Sequence, residues 1–426
     1  MHRTVTRLVV LALGVVVAGC SESAAGPDGA AVQPDSRAPD ARTSPDPLSD
    51  AELWRVVSKL AADELQGRQE GSPGGLTARR FLIEELKRCG IQPAAAAAGY
   101  EQPITSGAGA NLLGRIPGTD SSLAQRTILI SAHYDHLGSC GGEICNGAYD
   151  NAAGVTVVLG AACALAAAPP ARSVLVALWD AEEPPTFLTG AMGSQFYAEH
   201  PLFPLDTIDV AIVLDLIGAD LWPGAGLHFV LGGELSPEVG KIAAGVAGPA
   251  GLIPVRLGLH LVEQLPTGGQ QPWSDYDAFR DRGVPVLFLS DGYTKHYHQP
   301  TDELNTLARP KLALEARYLV ELVRSLAAGS HPRTGFDPTG ADHVADAAGV
   351  ERVLTGALGA GGLVDQLSSA SKAKLTDDLA KVKQIKAGLK PGTPASPAAV
   401  QALRAAVQRV MCYTGPQYSE PICNLF

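Results

Sequence analysis

The chain has 426 residues, 46% hydrophobic and 18% charged, enough apolar material for a large buried core. Its formal net charge is −11, with the acidic residues spread along the chain. That balance excludes the basic patch by which proteins hold nucleic acid, and no nucleic-acid partner is expected.

Arg3 and Arg7 precede an apolar run at 8–17 that is too short to span a bilayer comfortably. The run closes on Val17-Ala18-Gly19-Cys20, which resembles a bacterial lipobox. Residues 1–20 therefore read as an export signal that leaves a lipid-modified Cys20. Residues 21–48, rich in Ala, Pro, Asp and Ser, read as a flexible tether. The expected location is exported and membrane-anchored, periplasmic or on the outer surface of a bacterium. Six cysteines remain besides Cys20, an even number suited to an oxidising compartment. Cys140 and Cys145 share one Gly-rich loop and Cys412 and Cys423 share the tail, so local pairing is the economical expectation. Cys163, in an Ala-rich helical run, reads as a buried thiol.

Ser49 and Glu52 form a capping box that opens a helix to about residue 62. The break Gly71-Ser72-Pro73-Gly74 precedes a second helix to Cys89, with Leu76, Leu82, Ile83 and Leu86 on one face. Apolar runs at 128–132, 174–179, 210–214 and 284–289 lack alternation, as strands buried on both faces do. Helical patterns at 155–168 and 191–200 lie between them, and one at 310–326 follows. Alternating strand and helix predicts an α/β fold with a mostly parallel central sheet flanked by helices. Beyond about residue 330, Gly/Ala-rich helices near 341–358, 368–389 and 396–411 read as a helical C-terminal appendage. Ser396-Pro397 suits the start of the last.

Chemistry-bearing residues stand at the ends of the apolar runs. His133-Tyr134-Asp135 follows the first, and a loop from there reaches Asp150-Asn151 at the start of a helix. Asp180-Ala181-Glu182-Glu183 follows the second, Asp215 the third, and His298 lies beyond the fourth. Ligands of open α/β sheets gather at the carboxyl ends of the strands, where these side chains would converge. An Asp after a strand is ordinarily a cap and a Glu pair a solvated face. One such group after each successive buried strand is a different pattern.

The ordered set His133-x-Asp135, Asp150-Asn151, Glu182-Glu183, Asp215 and His298 resembles the co-catalytic di-zinc aminopeptidase family, which includes glutamate carboxypeptidase-like enzymes and glutaminyl cyclases. The similarity spans about residues 50–325. Flanking marks are Asp63-Glu64-Leu65-Gln66-Gly67-Arg68, Asn111-Leu112-Leu113-Gly114, Ser274-Asp275-Tyr276-Asp277-Ala278-Phe279 and Gly283-Val284-Pro285-Val286. The resemblance implies a phosphorylase/hydrolase-like fold and two Zn²⁺ per chain. Asp150 would bridge the ions, with His133 and Asp215 completing one, and Glu183 and His298 the other. It further implies that Asp135 bonds the His133 ring and that Glu182 is the general base acting on a metal-activated bridging water. A cis peptide between Asp150 and Asn151 is also implied. Imidazole and carboxylate are the ligands Zn²⁺ takes where a water position stays open.

The expected organisation is a signal at 1–20, a tether at 21–48, a zinc-peptidase catalytic domain at 49–328 and a helical extension at 329–426. Its expected activity is that of an aminopeptidase on peptide substrates. Two other readings stay open: a glutaminyl cyclase-like acyltransferase with a single zinc, and a non-catalytic binding lipoprotein on the same fold. The stretch 184–194 after the Glu pair is longer than the family's usual turn, and Tyr276 stands where relatives often have His. His136 and His296 read as polar wall residues, Tyr293 as a candidate helper of an oxyanion. His200, His228, His260, His331 and His343 have no cluster around them in the sequence.

Overall fold

The computed structural model describes residues 45–95, 99–104, 108–264, 270–329, 335–416 and 419–426. The expected signal with Cys20, the tether up to residue 44, and His331 lie outside the described residues. The chain enters through α1 (Asp50–Leu60), whose first turn is capped by the Ser49 hydroxyl accepting the Glu52 N–H. Ser72 caps α2 (Pro73–Arg88) in the same way, with Pro73 in its first turn. Short strands β1 (Gln92–Pro93) and β2 (Glu101–Pro103) pair antiparallel with β3 (Ala110–Ile116). Then come β4 (Thr127–His133), the hairpin β5 (Gly138–Cys140) and β6 (Glu143–Cys145), α3 (Ala153–Ala167) and β7 (Ser173–Trp179). The sheet continues through α4 (Gly193–Glu199), β8 (Ile208–Leu214), β9 (Leu227–Leu231), α5 (Pro237–Gly245) and β10 (Ile253–Leu257). Short helices α6 (Leu259–Val262) and α7 (Tyr276–Arg280) lead to β11 (Val286–Ser290) and the long α8 (Arg309–Ala327). The C-terminal helices are α9 (His343–Ala357), α10 (Ser369–Gly388), α11 (Pro397–Thr414) and α12 (Glu420–Cys423).

Among the described residues the strand order is β1-β3-β7-β4-β8-β11-β9-β10, with β2 beside β3. The four apolar runs of the sequence are β4, β7, β8 and β11, and these pair parallel at the centre. Antiparallel neighbours are confined to the flanks, where β3 meets β7 and β9 meets β11. Successive residues of the central strands serve two cores. Ile128, Ile130, Val174, Val176 and Ile212 join a cluster with side chains of α1, α2, α3 and α8. Leu129, Leu175, Ala177, Val213 and Phe288 join a second cluster with residues of α7, α9, α10 and α11. Both faces are therefore dry, which explains why the strand sequences do not alternate.

Cys163 is not a free thiol. It is disulfide-bonded to Cys89, with 5.0 Å between the Cα atoms. The last turn of α2 ends against α3, and a sequence separation of 74 conceals that contact in the sequence. Cys140–Cys145 and Cys412–Cys423 pair locally, as expected.

The helical C-terminal region is packed into the sheet's second core. Val350, Leu354 and Ala357 of α9 are fully or almost fully buried, as are Leu403 and Ala406 of α11. The Arg409 guanidinium on α11 is buried, donating to Asp378 Oδ2 at 2.6 Å and to the Cys423 carbonyl at 2.9 Å. Leu354→Ala, a truncation at a position with no exposed surface, should lower stability by about 2–5 kcal/mol. Thermal unfolding is expected to shift as one transition. A separate early transition would show that α9–α11 do not share the sheet's core.

Candidate metal centre

Parallel strands deliver their C-terminal ends to one edge of the sheet, and the polar residues of the sequence sit there. His133 is the last residue of β4, Asp215 follows the last residue of β8, and Glu182-Glu183 lie just past β7. Asp150 lies in the turn that becomes α3, joined to Asn151 by a cis peptide, and His298 lies between β11 and α8. The chain takes left-handed backbone at Ala181 (φ 58°), Leu216 (φ 55°) and His298 (φ 55°), all non-glycine. Such conformations persist only where the surroundings fix them. Here the Ala181 N–H donates to Asp180 Oδ1 and the Leu216 N–H to Asp215 Oδ1.

The side chains meet around Asp150. His133 Nε2 is 3.3 Å from Asp150 Oδ1 and 3.4 Å from Asp215 Oδ1, with Glu182 Oε2 at 3.8 Å. On the other side, His298 Nε2 is 3.3 Å from Asp150 Oδ2 and 3.1 Å from Glu183 Oε2. Each oxygen of Asp150 thus faces a different imidazole. His133 Nδ1 faces the Asp135 main-chain carbonyl at 3.2 Å, and the Asp135 carboxylate lies farther off at 3.7 Å. A carbonyl only accepts, so Nδ1 carries the hydrogen in the neutral ring and Nε2 presents its lone pair. The Asp135 carboxylate instead accepts the N–H groups of Glu182 and Glu183 at 3.1 and 3.2 Å, fixing both residues by their main chain.

Further residues support these positions. Asp302 accepts the N–H groups of Tyr149 and Asp150 at 2.8 and 3.0 Å, clamping the turn that carries Asp150. Asn151 donates to the Leu214 carbonyl, tying that turn to β8. Gly154 fits because any Cβ there would lie 2.0 Å from Asn151 Oδ1. Beneath lies Arg68, fully buried, donating to the carbonyls of Leu60, Tyr134, Asn146 and Gly147. The sequence reading gave Arg68 and Asp302 no role. An Arg in a turn and an Asp two residues past a Pro carry no signal by themselves. His136 is no mere wall residue: it is 1% exposed, and its Nδ1 lies 2.7 Å from Glu183 Oε1. Tyr293 packs against Tyr297 and Trp273, while Tyr276 donates to Glu263.

Burial would lower the pKa of His133, but Glu182 and Asp215 outweigh it and carry the ring well above its ordinary value. His298 behaves alike: burial lowers it, Asp150 and Glu183 outweigh burial, and the result is about 10. Glu182 is pushed well up by burial and by Asp275 and Asp215, against the pull of His133. Asp150 goes the other way, burial being overcome by His133 and His298.

This arrangement fits metal. His133 Nε2, His136 Nε2 and Asp150 Oδ2 are buried and make no hydrogen bond, although His133 and Asp150 lie at contact distance from partners of opposite character. Ligands of one tetrahedral Zn²⁺, each about 2.0–2.1 Å from the ion, stand about 3.3–3.4 Å apart, the spacing seen here. Overlapping donor sets, His133–Glu182–Asp215 and His133–Asp150–Glu183, have ligand atoms within 4.8 Å of one another.

The profile of peptidase family M28 matches residues 111–323, half of the chain. The chain belongs to peptidase family M28. Within that match lie all seven of the site residues named from the sequence. The M28 chain is 28% identical over 249 residues to the uncharacterized protein YfbL of Escherichia coli (strain K12), covering 54% of this chain and 75% of that protein. Its fold is similar to that of the LapA aminopeptidase of Legionella pneumophila, with TM-score 0.53 and 14% identity over 67% of this chain and 73% of the other. A Zn-dependent exopeptidase from Parabacteroides distasonis gives TM-score 0.50 and 18% identity over 66% and 99% of the two chains. As an M28 member the protein is a zinc-peptidase-type hydrolase with peptides as its substrate class.

Any cation that takes His298 Nε2 must displace a proton held to about pH 10. Zinc uptake by the metal-free protein should therefore release protons, and apparent affinity should rise from about pH 6 to about pH 8. Competition with a chromophoric chelator at the two values measures this. Equal affinity at both would remove His298 and His133 from the ligand set.

Proposed function

We propose that this M28 protein is an exported aminopeptidase that removes the N-terminal residue of peptides at a two-zinc centre. The observation that carries the reading is Asp150, with one oxygen facing His133 and the other facing His298. In this reading Asp150 would be held in common by two ions, with His133 and Asp215 available to one and Glu183 and His298 to the other. Zinc held there supplies Lewis acidity toward the scissile carbonyl and lowers the pKa of water.

The remaining work falls to the chain's own groups. The Glu182 carboxylate takes the proton of the attacking water and hands it to the departing amine. Its pKa, raised by burial and neighbouring carboxylates, makes it a stronger proton acceptor than a solvated glutamate. Asp135 holds the main chain of Glu182 and Glu183, so base and ligand keep a fixed relation. The Asp135 carbonyl orients His133 with Nε2 toward the centre.

The fold holds an apolar cavity of about 80 Å³, and in this reading it takes the side chain of an apolar N-terminal residue. Leu216, next to Asp215, lines it, as do Phe229, Trp273, Phe288, Tyr293 and Met411. Tyr293 packs on Tyr297, whose ring stacks on His298 at 3.8 Å, so the lining is continuous with the metal side. Export with a lipid-modified Cys20 belongs to the same proposal. It is supported by the motif at 17–20 and by three disulfides, which persist in oxidising compartments.

Aminoacyl-arylamide substrates test the reading directly. Leucine and phenylalanine derivatives should be hydrolysed far faster than aspartate or lysine ones, with activity lost to a chelator and restored by zinc. Glu182→Gln should cut kcat by about 10²–10⁴-fold at unchanged zinc content. Cyclisation of N-terminal glutamine with one zinc per chain, or a fully active Glu182→Gln, would overturn it.

A further inference from the structure

A second cluster of metal-type side chains joins two parts of the fold and shares no residue with the centre at Asp150. His260 stands on α6, inside the M28 match, and His343 and Asp346 stand one turn apart at the start of α9, beyond it. Separated by more than eighty residues, they gave no sign in the sequence. Asp346 Oδ2 lies 3.4 Å from His260 Nε2 and 3.3 Å from His343 Nδ1. All three ligand atoms lie within 4.8 Å of one another. The separations equal those of ligands on one tetrahedral Zn²⁺ with bonds of about 2.0–2.1 Å.

Three observations favour an ion over an ordinary hydrogen-bonded triad. Both ring nitrogens of His260 are buried and make no hydrogen bond, although Nε2 stands 3.4 Å from Asp346 Oδ2, the separation of two ligands on one ion. Asp346 is 1% exposed, and its other oxygen is already taken by the Gly258 N–H at 2.7 Å, which aims Oδ2 between the rings. A further buried carboxyl stands close by: Glu234 accepts the Leu259 N–H, and burial, together with Asp346 and Glu263, pushes it up to about 8, so it can give up its proton when a cation binds beside it. Cations close by are engaged elsewhere, Arg404 donating to the His260 carbonyl and Arg256 facing Asp342 at 3.7 Å. His343 and Asp346 also line a cleft of about 760 Å³, which leaves room for water as a fourth ligand. The cluster of His228, Asp291 and Glu315 differs in the decisive respect, because the Lys311 ammonium sits 3.0 Å from Asp291 and supplies the positive charge itself.

We propose that His260, His343 and Asp346 bind a divalent transition-metal ion of the Zn²⁺ class, and that this ion pins α9 to the peptidase sheet. Its role is structural: three protein ligands drawn from two elements make docking of the C-terminal helices dependent on metal.

The test compares the full chain with His343→Gln and His260→Gln after equilibration in buffer containing zinc alone. Each variant should hold one zinc per chain fewer than the parent by atomic emission. The rise in thermal midpoint on adding zinc should be smaller in the variants by several degrees. His343 is half-buried at the first turn of α9, so His343→Gln keeps the fold if His260→Gln does not. His343→Cys, which offers a thiolate, should restore the missing equivalent. Equal zinc content and equal zinc-dependent shifts in parent and variants overturn the proposal. The readout is a difference between chains with identical residues around Asp150, so it stands whatever the stoichiometry there.

Discussion

Asp150 is buried between two imidazoles, with more carboxylates close behind. Buried carboxylates repel one another strongly, and without compensating positive charge they would have to take up protons. The raised values of Glu182 and Asp215 and the protons retained on His133 and His298 are that compensation in the absence of metal. In the proposed reading, metal ions would take the place of those protons. The surroundings are organised to keep the arrangement from relaxing. Asp302 grips the turn at Asp150, Asp135 grips the Glu pair, and Arg68 draws four carbonyls together underneath. Each of these contacts is made to main chain, so the positions of the reactive groups are set by the backbone.

That organisation explains what could be read from the sequence. The central strands were legible because burial on both faces removes polar residues from them, and the site was legible because polar residues reappear abruptly where each strand ends. His133, Asp215 and Glu182-Glu183 are visible as interruptions. The flanking strands β9 and β10 were not foreseen: Leu227–Leu231 carries His228, and Ile253–Leu257 carries Pro254 and Arg256, which break the apolar pattern. Contacts made only in three dimensions were equally hidden. Cys89 meets Cys163, His136 meets Glu183, and His260 meets Asp346, and no local pattern marks any of these pairs. His136 stands one residue past His133-x-Asp135, yet its direction depends on the loop that follows it. Asp135 shows the same limit more finely. The family resemblance supplies a partner for the His133 ring, but only the fold distinguishes the carbonyl from the carboxylate.

The helices beyond residue 335 are part of the same problem of burial. A sheet with two apolar faces needs two covers, and α1, α2, α3 and α8 provide one. The second face is covered by α4 and α7, which are short, and by α9–α11. Without those helices Leu257, Leu259 and Phe288 would lose their neighbours, so this region belongs to the protein's stability as much as to its boundary.

The apolar cavity has one wall on Leu216, the neighbour of Asp215, and Phe288, and a far wall on α9 and α11, through Val350, Leu354, Val410 and Met411. The reactive groups and the far wall therefore belong to different stretches of the gene. Substitutions within the last hundred codons can reshape the cavity without touching the residues gathered around Asp150. A cover that keeps the sheet dry is, by its position alone, also a wall of the cavity.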